Sequence, residues 1–344
     1  MALAAAAGGV MHYAGVDGRA VFPVVTIALA GLAWLVALGT DALGNHVGPG
    51  LTGVLQSTLG NLPELFVVIF ALRAGEVVVA QTSILGSLFA NALLVLGLVI
   101  VVGARASEGG VMRFHSRLPN DTATLMLLAC FIIVLLGLSV TAEDKASSHK
   151  VAISAAGAVV LLAVYFTWLW SYIRADTRAE GGGEQREEGE APPLSLAMAL
   201  GLLAVAGVGA AFVSDWFIAS LNPAIEALHL SKAFAGLVIV AIAGNAVENV
   251  AGISLAHKGK MDDAISVVKN SVAQIAAFLF PALVLISLLF TSHLTFVLAP
   301  VYIGALLITA IAVWQVTGDG EATVPEGTAL IGIFLMLAFL TFYE

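Results

Sequence analysis

The sequence predicts an all-α polytopic membrane protein with about ten transmembrane helices, arranged as two inverted five-helix repeats. Three observations support this fold class. Of the 344 residues, 60% are hydrophobic and 11% are charged, whereas a soluble domain carries roughly 25% charged residues. The apolar residues form runs long enough to cross a bilayer, and the mean hydropathy is +1.02. A short polar motif occurs twice, once in each half of the chain.

The apolar runs predict helices rather than barrel strands. A helix needs about 20 apolar residues to span the hydrocarbon core, whereas a barrel strand needs only about 10 with alternating polarity. Residues 1–20 are short and rich in glycine, so we expect an N-terminal segment there, and its start lacks the basic region of a signal peptide. The ten predicted spans are residues 21–40, 49–72, 77–103, 122–140, 151–173, 194–214, 233–256, 262–290, 294–316 and 326–343.

A charged segment divides these spans five and five. Residues 174–193 read RADTRAEGGGEQREEGEAPP and contain nine of the 37 charged residues. Such a composition predicts a solvated, flexible linker. The predicted organisation is therefore a first repeat at 21–173, an acidic linker at 174–193 and a second repeat at 194–344.

Charge and cysteine content exclude several classes of function. The formal net charge is −9, which argues against nucleic acid as a partner. The single cysteine, Cys130, excludes an intrachain disulfide and a cysteine-rich metal site. Loops on the linker's side of the membrane carry eight Lys and Arg, against five on the other side. By the positive-inside rule, this bias places the linker in the cytoplasm and both termini outside.

The repeated motif indicates an inverted repeat. Residues 60–64 read GNLPE and residues 244–248 read GNAVE, an offset of 184 that also pairs Ser87 with Ser271. Five predicted helices separate the copies. Because five is odd, the two repeats enter the membrane in opposite directions, which is typical of secondary transporters.

The two motif acids predict a cation site. Glu64 and Glu248 lie at equivalent positions inside predicted spans, where a carboxylate costs several kcal/mol unless it faces a cavity, a partner or a cation. Pro63 cannot donate a helical hydrogen bond, so it frees a carbonyl oxygen nearby. Residues at i, i+1 and i+4 share one helix face. On that face lie Gly60, Asn61 and Glu64 in one copy and Gly244, Asn245 and Glu248 in the other.

The following span of each repeat contributes further oxygen atoms. Carboxylate, amide and hydroxyl oxygens are hard ligands, which suit Ca²⁺ better than a transition metal. For each hydroxyl or amide taken alone, however, the simpler interpretation is that it holds helices together. The side chains concerned are Ser83, Ser87 and Asn91 in the third span and Ser271 and Gln274 in the eighth.

Three other charged residues need an interpretation. Asp262 and Asp263 are adjacent but lie at a loop, so we expect a solvated helix start. Lys269 lies inside the eighth span. It either extends along the helix to the cytoplasmic surface or remains near the site as a tethered cation; we favour the first.

Residues 60–97 and 244–287 resemble the two signature repeats of the cation/Ca²⁺ exchanger superfamily, and most closely those of the Ca²⁺/H⁺ antiporters. The resemblance implies that Glu64 and Glu248 share one Ca²⁺ with backbone oxygens of the Gly-Asn turns. It further implies that the site is surrounded by Asn61, Asn245, Ser87, Ser271 and Gln274.

Two departures from the family pattern bear on the counter-ion. Asn249 stands where the family usually has His. Pro63 stands where the family usually has Thr, and in this respect the motif resembles the Pro-Glu of Na⁺/Ca²⁺ exchangers. The residue paired with Asn91 is Ile275, so no third acid is available there. This favours protons over several sodium ions as the ions exchanged for Ca²⁺.

The expected function is therefore exchange of Ca²⁺ for H⁺ by alternating access, in the plasma (inner) membrane and without a cofactor. Na⁺/Ca²⁺ exchange and monovalent cation/H⁺ exchange remain alternatives from the same class. A membrane-embedded enzyme such as a polyprenyl transferase is disfavoured because the clustered aspartates that bind Mg²⁺-diphosphate are missing. A channel remains a third option. The sequence leaves the oligomeric state open.

Overall fold

The structure is a computed structural model that describes residues 2–47, 59–180 and 194–344. The first part of the span predicted at 49–72 and most of the predicted linker therefore lie outside the described residues. Within the described part of the chain, eight helices are long and apolar enough to cross a membrane, and residues 232–244 form a shorter apolar helix.

Within the described residues, the first half of the chain forms six α-helices and one short strand. One helix, α4, contains a π-helical turn at Ala90–Val95. The elements are α1 (Ala2–Tyr13), α2 (Gly18–Val47), α3 (Leu62–Arg73), α4 (Val77–Ala106), β1 (Val111–Arg113), α5 (Arg117–Thr141) and α6 (Lys150–Glu180).

The described residues of the second half also form six α-helices and one short strand, but the strand here precedes the last helix. Two of its helices contain π-helical turns, at Ala235–Val240 and Ile275–Leu279. The elements are α7 (Leu196–Leu228), α8 (Lys232–Gly244), α9 (Ala246–His257), α10 (Met261–Ser287), α11 (Pro300–Thr317), β2 (Glu321–Thr323) and α12 (Val324–Phe342).

The element bounds reproduce the offset of the motif. Adding 184 to Leu62 and Arg73, the ends of α3, gives Ala246 and His257, the ends of α9. The same addition takes Val77, where α4 begins, to Met261, where α10 begins. The internal repeat is thus visible in the backbone as well as in the sequence.

Several predicted boundaries differ from the structure. Helix α6 continues to Glu180, so residues 174–180 of the predicted linker are helical; Ala, Arg and Glu there are good helix formers. Helix α7 extends to Leu228, fourteen residues beyond the predicted end at 214. Residues 294–299 precede α11 rather than belonging to it, because Pro300 takes an N-terminal helix position, which proline favours.

Close helix packing joins α4 of the first repeat to α8 of the second. A Cβ atom at Gly86 would lie 2.3 Å from the Leu237 carbonyl oxygen, and one at Gly236 would lie 2.1 Å from the Thr82 hydroxyl. Only glycine allows two backbones to approach this closely. The two helices therefore pack with their backbones in direct contact.

Polar contacts connect the repeats at both ends of the bundle. At the linker end, β1 pairs antiparallel with β2, and Asp262 accepts hydrogen bonds from the His115 backbone nitrogen (2.7 Å) and Nδ1 (3.0 Å). Asp262 and Asp263 lie exposed in the first turn of α10. A solvated helix start was therefore the correct interpretation, and Asp262 in addition holds a loop of the other repeat.

At the opposite end, Glu76 accepts hydrogen bonds from Lys232 Nζ (2.6 Å) and Asn222 Nδ2 (3.0 Å). Burial raises the pKa of Glu76, but the two hydrogen bonds and the Lys232 charge outweigh burial and leave the pKa below its ordinary value. Glu76 therefore stays ionised and ties the start of α4 to α7 and α8.

The glycine contact predicts the effect of adding one methyl group. Gly86→Ala should lower the free energy of unfolding by about 2 kcal/mol, the typical cost of overpacking, because the Leu237 backbone would have to shift. Gly304→Ala is a matched control, since a Cβ at Gly304 in α11 meets nothing within 4 Å. Thermal unfolding of both variants in detergent measures the difference, and equal stability of the two would contradict the packing described here.

Candidate cation-binding site

Two helix breaks define the candidate site. Asn61 precedes α3 with φ −83° and ψ 4°, and Asn245 separates α8 from α9 with φ −104° and ψ 16°. Pro63 takes one of the first two positions of α3, where its missing N–H costs no hydrogen bond. The predicted interruption of the motif helices is therefore present in both repeats.

Glu64 lies in the first turn of α3, and its side chain is buried, with 2% of the residue exposed. Backbone N–H groups at a helix start are unpaired within the helix and favour negative charge. The break at Asn61 thus places a helix N-terminus under the carboxylate in the interior of the bundle. Glu248 has the equivalent backbone position in α9. Its side chain and that of Asn249 lie outside the described residues.

Asn245 of the second repeat bonds to α4 of the first. Its Nδ2 donates to Ser87 Oγ at 2.7 Å and to the Ala241 carbonyl at 2.9 Å, while its Oδ1 accepts from Asn91 Nδ2 at 3.1 Å. The side chain is 1% exposed. The structure thus brings together three residues that the sequence analysis had placed around one site.

Asn61 of the first repeat contacts α10 of the second. Its Nδ2 donates to Gln274 Oε1 at 3.5 Å, a long and weak hydrogen bond. Each asparagine turn therefore reaches across to the polar helix of the opposite repeat. Gly60 and Gly244 are buried and directly precede the two turns.

Oxygen atoms with free lone pairs lie where the asparagine turns contact the polar helices of the opposite repeats. Asn91 Oδ1 and Ser271 Oγ are buried and have no hydrogen-bond partner within the described part of the chain. An unsatisfied buried oxygen costs about 1–3 kcal/mol, which a bound cation would recover. Ser83 differs from these two residues, because its hydroxyl donates to the Val79 carbonyl of its own helix at 2.7 Å. Ser83 thus fits the simpler structural interpretation.

The prediction for Lys269 was wrong. The residue is 0% exposed, so its side chain does not reach the surface, and Nζ has no hydrogen-bond partner among the described residues. Helix α10 packs against α4, α5 and α9. Two residues along a helix correspond to a rotation of about 200°, so Lys269 and Ser271 lie on nearly opposite faces of α10.

One residue near the site escaped the sequence analysis. Tyr165 of α6 lies in one buried cluster with Ala273 and Ala277 on the helix that carries Gln274. It lies outside the repeated motif, in an aromatic stretch that gives no polar signal. The 184 offset could not find it either, because position 349 exceeds the length of the chain.

Comparison with known proteins supports these assignments of fold and class. The Ca²⁺/H⁺ antiporter of Synechocystis is 29% identical over 97% of this chain and 93% of its own length. ChaA of Bacillus subtilis, also a Ca²⁺/H⁺ antiporter, is 28% identical over 96% of this chain and 93% of its own. The vacuolar calcium ion transporter of Schizosaccharomyces pombe is 30% identical over 95% of this chain and 80% of its own.

Solved structures have the same fold. The structure of native YfkE superimposes with a TM-score of 0.81 at 25% identity and covers 99% of both chains. The H⁺/Ca²⁺ exchanger CAX superimposes with a TM-score of 0.75 over 97% of this chain and 87% of its own; at 14% identity, this likeness concerns the fold alone. These similarities confirm the predicted all-α membrane fold of two inverted five-helix repeats.

The profile of one family matches both halves of the chain. It covers residues 19–173 and 198–343 and leaves out only the N-terminal end, the linker region and the last residue. The matched residues include both asparagine turns and the polar helices that cross them. The chain therefore belongs to the sodium/calcium exchanger protein family.

Proposed function

We propose that this protein is a secondary active antiporter that exchanges Ca²⁺ for H⁺ across the membrane. The observation that carries the proposal is that each asparagine turn contacts the polar helix of the opposite repeat. Buried oxygen atoms of both repeats thereby come together, and the buried Glu64 follows Asn61 by three residues. Full-length relatives named Ca²⁺/H⁺ antiporters support the choice of ions. The protein is a transporter and not an enzyme.

The chemistry of exchange follows from carboxylates that Ca²⁺ and protons cannot occupy together. An ionised pair holds one divalent cation, since Ca²⁺ prefers six to eight oxygen ligands. A protonated pair holds two protons and no metal. Because Ca²⁺ and protons bind the same oxygens, the site carries either Ca²⁺ or protons in each direction. This exclusion couples the two fluxes.

The proposed ligand set is the one predicted from the sequence. Glu64 and Glu248 supply the charge, and the Gly60 and Gly244 turns supply backbone carbonyls at helix ends, which carry partial negative charge. Support for the neutral ligands comes from the free oxygen of Asn91 and Ser271 and from the cross-repeat hydrogen bonds. The neutral side chains of the set are Asn61, Asn245, Ser87, Asn91, Ser271 and Gln274.

The cellular placement belongs to the same proposal. The chain is an integral membrane protein. We propose the plasma (inner) membrane, with the linker between the repeats in the cytoplasm, because Lys and Arg are more frequent in loops on that side. The β1–β2 pair and the Asp262–His115 contact then face the cytoplasm, and Glu76 faces the exterior.

Ion choice is tested in everted membrane vesicles with an imposed pH gradient. Ca²⁺ should dissipate the gradient, because an all-oxygen site with two acids suits a hard divalent cation. Na⁺ and K⁺ at the same ionic strength are the comparison. Dissipation by Na⁺ or K⁺ without any by Ca²⁺ would replace the proposal with one of the two alternative exchange reactions.

Substitution of either motif acid should abolish exchange. Glu64→Gln and Glu248→Gln keep the size of the side chain but remove a charge that Ca²⁺ requires and a group that carries a proton. Folding should persist, because a buried amide costs less than a buried charge. Ca²⁺-dependent proton flux at matched expression should fall to the level of empty vesicles.

Asp263→Asn provides the control for these variants. Asp263 is exposed at the start of α10, so its loss should leave most of the flux. Near-normal flux in Glu64→Gln or Glu248→Gln would exclude that carboxylate from the site.

The linker should not take part in exchange. Residues 181–193 carry charge but no part of the repeated motif. Removing six of them should leave Ca²⁺-dependent flux within about twofold of the full chain, since the entropy of loop closure varies slowly with loop length. Loss of flux from a correctly inserted variant would show that the linker belongs to the transport mechanism.

A further inference from the structure

A row of polar residues on α10 connects the linker end of the bundle with the candidate site. Ser266, Asn270 and Gln274 follow one another at intervals of four, so they share one face of the helix. Ser266 and Asn270 are partly exposed, whereas Gln274 is 3% exposed and contacts Asn61 at the site. We propose that Asn270 is a Ca²⁺ ligand on the approach from the linker side, which binds the ion before it reaches the motif carboxylates. The inference rests on the proposed function.

The amide oxygen of Asn270 is free to bind a cation. Asn270 Oδ1 is buried and has no hydrogen-bond partner among the described residues, although part of the residue is exposed. An unpaired buried oxygen is unfavourable, and Ca²⁺ relieves this because side-chain carbonyl oxygens of Asn and Gln are among its ordinary ligands. An asparagine that only joined two helices would use this oxygen in a hydrogen bond between them.

Two further oxygen atoms lie within the same turn of α10. Asn270, Ser271 and Gln274 stand at i, i+1 and i+4, a spacing that places side chains on one side of a helix. Ser271 Oγ is buried without a partner in the described part of the chain, and Gln274 Oε1 accepts only the long contact of 3.5 Å from Asn61. Four residues of helix correspond to about 6 Å, so an ion at Asn270 is one short step from these oxygens. Water can complete its coordination there, as it does at many Ca²⁺ sites.

The partial exposure of Asn270 is confined to a narrow strip of α10. The two residues on either side of it are all buried, namely Val268, Lys269, Ser271 and Val272. Polar side chains inside a membrane face the bundle interior or a water-filled cavity rather than lipid. A polar strip that begins one turn after the solvated start of α10 and ends at Gln274 therefore suits an aqueous approach to the site.

The matching face of the first repeat is built differently. The offset of 184 pairs Asn270 with Gly86 and Ser266 with Thr82. A Cβ at Gly86 would lie 2.3 Å from the Leu237 carbonyl oxygen, and the Thr82 hydroxyl donates a hydrogen bond within its own helix at 2.8 Å. The first repeat thus has no room for a side chain at the position where the second repeat carries an unpaired amide oxygen. A ligand at Asn270 can therefore serve the linker side alone.

The test measures the Ca²⁺ concentration at half-maximal proton flux, K0.5, separately from each side of the membrane. Everted and right-side-out vesicles are compared, and an epitope inserted within residues 181–193 identifies the linker side of each preparation. Asn270→Ala should raise K0.5 from the linker side about tenfold, as for the loss of one polar contact to a charged group, and leave K0.5 from the other side within about twofold. Gln274→Ala, which removes a ligand of the central site, should raise both values.

Two further measurements separate ion binding from stability. Asn270→Asp keeps the size and the oxygen and adds a charge, so it should lower K0.5 from the linker side. Thermal unfolding in detergent should be the same for Asn270→Ala and the wild type, because the oxygen that is lost has no hydrogen-bond partner in the described chain. A less stable Asn270→Ala with an unchanged K0.5 would show a purely structural role and overturn the inference.

Ser139→Ala is the matched control. Ser139 of α5 is also partly exposed, and its Oγ is likewise buried without a partner among the residues that the structure describes. It differs from Asn270 in lying near the opposite end of the bundle and outside the polar helices of the repeats. Its loss should leave K0.5 unchanged from both sides, which shows that an unpaired oxygen matters only on the approach.

The remaining outcomes are equally distinct. An equal rise in K0.5 from both sides would place Asn270 in the central site and overturn its assignment to the approach. Should Asn270→Ala fail to accumulate, Asn270→Asp must still lower K0.5 from the linker side, and an unchanged value would contradict the inference. Absence of Ca²⁺-driven flux in the wild type would instead reject the proposed function itself.

Discussion

A carboxylate buried among membrane helices is the constraint on which the rest of this structure depends. Glu64 is 2% exposed, and a charge in that position must be stabilised from within the protein. The chain provides this by breaking the helix at Asn61, so that a helix N-terminus begins beside the acid. A helix break at this depth has a cost of its own, because backbone polar groups inside a membrane must be satisfied within the protein. A turn of this kind persists only where other helices surround it.

The inverted repeat provides the helices that surround each asparagine turn. Each asparagine turn is covered by the polar helix of the other repeat, with Asn245 bonded to Ser87 and Asn91, and Asn61 facing Gln274. Neither repeat could bury its own turn without the partner. The same dependence explains the close contact of Gly86 with Leu237, since the two backbones must approach for the side chains below them to meet. The candidate site is therefore built by both repeats together.

The sequence predicted the features that depend on local chemistry and missed those that depend on neighbours. Gly, Asn and Pro at 60–63 signal an interrupted helix by themselves, and the interruption is present. The partners of Asn245 could be placed near the site from the 184 offset, but not assigned, because pairing across repeats depends on how the helices cross. Lys269 was misjudged for the same reason: its burial is set by the surrounding helices, not by its depth.

The three-residue strands β1 and β2 lie in loops too short to show any periodicity. Tyr165 carried no signal, because an isolated tyrosine in an apolar helix is usually part of the packing.

The departures from symmetry indicate how one site can serve two ions. The π-helical turn begins at Ala90 in α4, before Asn91, but at Ile275 in α10, after Gln274. Such turns shift the phase of a helix and frequently mark functional sites. The polar helix of each repeat thus contributes one carboxamide to the proposed site, Asn91 or Gln274, displaced by one residue from its counterpart. In the proposed site, one Ca²⁺ neutralises two carboxylates, and so do two protons. A net charge is costly in the membrane interior. In the proposed site, the two neutral states can therefore cross, whereas the empty state with two ionised carboxylates is unfavourable.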